Sequence, residues 1–117
     1  MEYSDTNKSV REIILEKGLI NEEVLIEALS VVSRIPTVKL YENQAPIEVR
    51  GLIKPELLRT HVMIPFGFDP EDNSTLLVAL NDPMNMRGRD LAAISSKCHI
   101  KPYLATTSDI LVTIDRY

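Results

Sequence analysis

Cysteine, histidine, clustered glycine and a surplus of basic residues are all missing or scarce in these 117 residues, and each scarcity excludes a class of function. The single cysteine, Cys98, rules out an internal disulfide framework and fits a reducing compartment. The two histidines, His61 and His99, are far apart and both fall at the start of a predicted strand. No set of residues is spaced for zinc. Cys98 and His99, as neighbours in an extended segment, point to opposite faces and form neither a metal pair nor a nucleophile with its base. The glycines stand alone at 18, 51, 67 and 88, with no phosphate loop and no GxGxxG pattern. The chain is therefore expected neither to bind nor to hydrolyse ATP, and no cofactor is implied. A formal net charge of -4 offers no cationic excess to displace counterions from nucleic acid. No apolar run approaches the roughly 20 residues that span a bilayer, and the start "MEYSDTNKSV" has no signal-peptide stretch. The expectation is a cytoplasmic protein with no nucleic-acid partner and no membrane insertion.

What is present is ordinary globular material: 44% hydrophobic and 26% charged residues, enough for one domain with a real core. Ser9-Val10-Arg11-Glu12 has the form of a capping box, with Val10, Ile13 and Ile14 following at helical spacing and Gly18 suited to a left-handed helix end. Asn21 caps a second helix, with Glu22 and Glu23 at the positive end of its dipole, and Ile20 and Leu25 are placed as a hydrophobic staple. Leu25, Ala28, Leu29 and Val32 form the stripe expected to be buried, and Pro36 ends the helix. The reading is a helical hairpin over residues 1–35 and an α+β part over 36–117, together one domain.

In the second part, "TVKLY" reads as a short extended segment and residues 46–60 as one or two short helices, with Pro55 in a first turn. "HVMIPFGF" and "STLLVAL" read as two strands around the turn-rich "DPEDN". A helix over 85–97, the strand "HIKPYLA" and a last helix capped by Thr107 complete a ββαβα layer. The fold class is α+β.

The carboxylates are accounted for locally: Glu12, Glu22 and Glu23 by helix starts, Asp69, Glu71 and Asp72 by a turn, and Asp82 by the stop before Pro83. Met63, Met84 and Met86 are expected to fill core. Lys17-Gly18 reads as a helix end rather than a nucleotide contact. No catalytic residue emerges.

Three segments together resemble a known family. "VREIILEKGLINEEVLIEAL" is similar to the helical hairpin near the start of the traffic ATPases of type II secretion and type IV pilus assembly. "IPFGFDPEDNSTLLVALNDPMN" resembles that family's strand, turn and strand ending on Asp-Pro. "IKPYLATTSDILVTIDRY" resembles its closing strand and helix, with Tyr117 where a linker to the motor starts. The likeness spans residues 9–117. It implies a non-catalytic N-terminal docking and regulatory domain ahead of an ATP-hydrolysing hexameric motor. The partners it implies are that C-terminal ATPase domain and a cytoplasmic domain of the inner-membrane platform protein, with the chain peripheral to the inner membrane through the platform.

In one branch of this family, two tandem copies of the hairpin motif bind cyclic di-GMP, each opening Arg-Leu-Gly and closing with Gln. Aligned on Gly18, the opening falls on Ser9, Val10 and Arg11 and the closing Gln on Val32, so the ligand-gripping groups are missing. Only eight residues precede Ser9, and no upstream copy is expected. Two readings stand: a docking module, and a cyclic di-GMP sensor with a degenerate site. The sensor reading would use Arg11, Ile14, Gly18, Leu25 and Leu29. The docking reading has two open surfaces, the helix face of Glu22, Ile26, Ser30 and Ser33 and the segment 41–50. On that face Ile26 is expected to stand out as an apolar residue among polar ones, so that Ile26→Asp should weaken the partner complex and spare folding.

Overall fold

The computed structural model describes residues 21–42 and 45–117. Along them lie helix α1 (Glu22–Ser33), 3-10 turns at Leu40–Glu42 and Ile47–Val49, α2 (Pro55–His61), β1 (Met63–Asp69), β2 (Asp72–Leu80), α3 (Met86–Ser96), β3 (His99–Leu104) and α4 (Thr107–Arg116). The element order agrees with the α+β expectation. The first helix of the expected hairpin, with Ser9, Glu12, Gly18 and Ile20, lies outside the described residues.

The sheet has the order β1-β2-β3. β1 and β2 form an antiparallel hairpin whose turn is only Pro70-Glu71, shorter than "DPEDN", because the Asp69 carboxylate accepts from the Glu71 N–H at 3.0 Å and closes the chain tightly. β2 and β3 run parallel, with α3 as the crossover such a pairing requires. Leu76, Val78 and Leu80 on alternate positions of β2 are fully buried, and Leu80 lines up with Met63 on one side and Leu104 on the other. On the opposite face the register shift beside Phe66 lets its ring meet Tyr103 edge-on at 5.3 Å, across the strand between them. The small Ala79, opposite Tyr103, leaves room for the pair. α4 lies against β1, β2 and α2 through Ile110 and Ile114, and α3 against β3 and α2.

The helix ends show which polar groups fix them. Asn85 caps α3 by accepting from the Gly88 N–H at 2.9 Å, and its Nδ2 donates to the His61 carbonyl at 3.3 Å, so one side chain joins the end of α2 to the start of α3. A Cβ on Gly88 would lie 2.6 Å from that Nδ2. This sets two effects against each other. Alanine gains about 1 kcal/mol over glycine within a helix, whereas losing an asparagine cap costs about as much again, before the His61 bond is counted. Gly88→Ala should be neutral to destabilising by about 1 kcal/mol in the natural chain and stabilising by about 0.5–1 kcal/mol in an Asn85→Ala background. Urea titration of the double-mutant cycle reads this sign change, and additive substitutions would refute it.

Several local expectations need correction. Thr106, not Thr107, caps α4, accepting from the Asp109 N–H, while the Thr107 hydroxyl accepts from Asn81 Nδ2. His61 ends α2 rather than starting a strand. Met63 is fully buried, but Met84 and Met86 are exposed because the stop around Asp82 projects them from the strand end. That stop is the expected Asp turn, with the Asp82 carboxylate accepting from the Met84 N–H. Cys98 is half-buried in the bend before β3, with its Sγ donating to the Ser96 carbonyl at 3.4 Å, and His99 is exposed. Burial pushes the Tyr117 phenol up to about 12, so near neutral pH it remains the donor to the Pro65 carbonyl, at 2.5 Å.

Candidate functional site

Among the described residues, a groove opens where α1 meets the rest of the chain. α1 ends on left-handed Arg34. The chain then turns back so that Thr37 bridges Leu104, with the Leu104 N–H donating to Pro36 and the Val38 N–H donating to Leu104. Beyond this pairing the Leu40 N–H donates to Asp109 Oδ2 at 2.8 Å, carrying the segment over the start of α4. On the other side, both Glu22 carboxylate oxygens accept from Ser108, from its N–H at 3.2 Å and its hydroxyl at 2.5 Å. α1, residues 37–41 and the β3–α4 junction thus enclose a groove of about 120 Å³.

Its floor is apolar: Ile26 and Ala105 are almost wholly buried and Val38 half-buried. Its edge carries Glu23, Glu27 and Asp109 with Lys39 and Tyr41. The Lys39 ammonium is held above the ordinary lysine value by the Tyr41 phenol first, then by the Glu42 and Glu23 carboxylates. Among the described residues no group of His, Cys, Asp and Glu is arranged to hold a metal ion, and no helix is long and apolar enough to cross a membrane.

The residues singled out from the sequence divide as follows. Arg11, Ile14 and Gly18 lie outside the described residues. Leu25 is buried and Leu29 half-buried, but Ala28 and Val32 are exposed, so the expected stripe is not the buried one. Leu25 and Ile26 are the buried pair, because α1 rests on the body through the arc that runs from Glu22 past both of them to Ser33. Ile26 is therefore not a solvent-facing anchor: it is 5% exposed. Glu22 is tied to Ser108, and Ser30 donates its hydroxyl to the Ile35 carbonyl at 2.6 Å, closing the helix end. In the segment 41–50, Tyr41 and Ile47 are exposed and Val49 buried. Sequence reading missed Glu27, Lys39 and Asp109 as neighbours. One signal was available, since Glu23 and Glu27 stand at i, i+4 with like charge, an arrangement that an isolated helix disfavours.

Comparison with known proteins places the chain among relatives. Residues 33–117 match the family model described as the MshEN domain. Over 115 residues the chain is 23% identical to the type IV pilus assembly ATPase PilB of Thermus thermophilus, covering 98% of this chain but 13% of PilB. Its fold is similar to that of MshE with cyclic di-GMP, at a TM-score of 0.81 and 18% identity over 97% of this chain and 80% of that one. It is also similar to the N-terminal domain of XpsE, at a TM-score of 0.75 and 19% identity over 100% of this chain and 79% of that one.

Proposed function

Since the chain belongs to the MshEN domain family, we propose that it acts as the non-catalytic N-terminal docking and regulatory domain of a traffic ATPase of type II secretion or type IV pilus assembly. It would hold its own motor domain to a cytoplasmic part of the inner-membrane platform. The observation that carries this reading is the lopsided match to PilB, in which nearly all of this chain corresponds to a small fraction of a much longer ATPase. The sequence supports it from the other side, because a chain without a phosphate loop supplies no ATP chemistry of its own. On this reading a hydrolysing motor lies elsewhere in the protein, and the part played here is attachment.

The likeness to MshE with cyclic di-GMP favours a second reading, a cyclic-dinucleotide sensor. Against it stand the serine at position 9 and the valine at position 32, where the binding motif places arginine and glutamine. The groove at α1 does not rescue the sensor: about 120 Å³ is well below the roughly 300–1,000 Å³ of sites that enclose small-molecule ligands.

One calorimetric series separates the readings. The 117-residue chain is titrated with the cytoplasmic domain of the cognate platform protein and, separately, with cyclic di-GMP. The docking reading expects saturable binding of the platform domain and nucleotide affinity no tighter than about millimolar, near 4 kcal/mol. A micromolar nucleotide isotherm without platform binding would replace it with the sensor reading.

A further inference from the structure

We propose that the groove beside α1 seats one basic side chain, an arginine or lysine on its aliphatic stem, presented by the protein on which this domain docks. The proposal deepens the docking reading and rests on it. Size comes first: about 120 Å³ is well below the roughly 300–1,000 Å³ of sites that enclose small-molecule ligands, and it suits a single side chain better than a nucleotide. The lining is layered in the way such a side chain is. Ile26, Val38 and Ala105 at the bottom suit methylene groups, and carboxylates at the edge suit a cationic head.

Charge then selects the sign of the occupant. Three carboxylates, Glu23, Glu27 and Asp109, face one ammonium, that of Lys39. Lys39 is already engaged by Tyr41, Glu42 and Glu23. Glu27 has no hydrogen bond or ion pair among the described residues, and Asp109 uses one oxygen on the Leu40 N–H. A cation entering above Ile26 would sit between Glu23 and Glu27 and relieve their mutual repulsion on the helix. It would meet carboxylates over an apolar floor, where water screens less than on an open surface. An acidic or neutral polar residue would gain neither effect.

The test uses a blocked pentapeptide with one central arginine among leucines and alanines, and its citrulline analogue, which keeps shape and hydrogen bonding but not charge. Each is titrated into the 117-residue chain and followed by amide NMR shifts. The expected result is shifts confined to Ile26, Val38, Ala105 and their neighbours, with the citrulline peptide about tenfold weaker. Glu27→Gln should weaken the arginine peptide by a similar factor while leaving all other amide shifts in place. Equal binding of both peptides, or shifts elsewhere, would overturn the proposal. Groove signals that move with protein concentration alone would overturn it too, giving the seat to a second copy. Groove signals that move on Arg11→Gln would overturn it equally, giving the seat to this chain's own N-terminal segment. Platform binding is measured in parallel: a platform domain that binds the natural chain and Glu23→Lys/Glu27→Lys equally removes the groove but keeps docking. No platform binding beside a charge-selective peptide titration removes docking and keeps the groove as a basic-side-chain site.

Discussion

Ile26→Asp should detach helix α1 from the body while leaving the sheet folded. Of the twelve residues of α1 only Leu25 and Ile26 are buried. Two buried aliphatic side chains contribute about 2 kcal/mol each, and the Ser108 bonds to Glu22 add less because they are exposed. The docking of α1 is thus a matter of a few kcal/mol. Aspartate at position 26 forfeits one of the two apolar contributions and places a carboxylate in a site that is 5% exposed, between Glu23 and Glu27. The combined cost of about 3–4 kcal/mol is comparable to the whole docking energy. The cheapest response is local: the helix lifts away and the new charge reaches water.

Hydrogen exchange distinguishes this from global unfolding. Amides of residues 24–29 should lose protection by about two orders of magnitude or more, whereas residues 76–80 in β2 keep theirs. Ile26→Val, which removes one methyl group, should cost only about 1 kcal/mol and leave α1 docked. Undiminished protection in α1 of the aspartate variant would show that the helix is held by something other than this contact.

The α+β order was legible because its signals are local. Asn21 caps α1 and the stop at Asp82 precedes α3 as read, since a carboxylate or amide beside free N–H groups needs no tertiary context. Strand order was legible too, had prolines been weighed. Pro65 and Pro102 cannot donate to a ladder, and both lie on outer strands, leaving the proline-free β2 as the centre. Helix ends were harder to place, because Arg34, Val62 and Lys97 take the left-handed position where glycine would have announced it. Valine there is an outlier that no propensity argument anticipates.

The buried face of α1 was misread for a different reason. Periodicity gives a stripe on an isolated helix but not the direction from which the rest of the chain arrives. Leu25, Ala28, Leu29 and Val32 satisfy the helical period as well as Leu25, Ile26 and Leu29 do. What decides between them is Glu22 meeting Ser108 and Thr37 meeting Leu104, contacts spanning 86 and roughly 67 residues of sequence. The groove was hidden for the same reason. Glu27, Lys39 and Asp109 become neighbours only after residues 36–38 pair with the end of β3.

Leu104→Ala should lower the stability of the whole body by about 4 kcal/mol, near the upper end of the range for leucine truncation. Leu104 is fully buried and faces Leu80 in the parallel register. Its backbone is held on both sides: its N–H donates to Pro36 at 2.8 Å and its carbonyl accepts from Val38 at 2.9 Å, while the next residue's N–H donates to Leu80 at 3.0 Å. A strand so tied does not slide inward to fill the space left by the lost side chain, so the cavity persists and the truncation costs more than the transfer of its methyl groups alone. With total stability of about 5–15 kcal/mol for a domain of this kind, the melting temperature should fall by about 20 °C. Leu104→Met, which keeps the volume, should cost under about 1.5 kcal/mol. Protection should fall across β2 and α1 together in the alanine variant, since the floor under Ile26 is built on Val38 and Ala105, the residues that pairing at Leu104 sets in place. A loss below about 1 kcal/mol by urea titration would mean that this junction is not where the sheet and the α1 arm are joined.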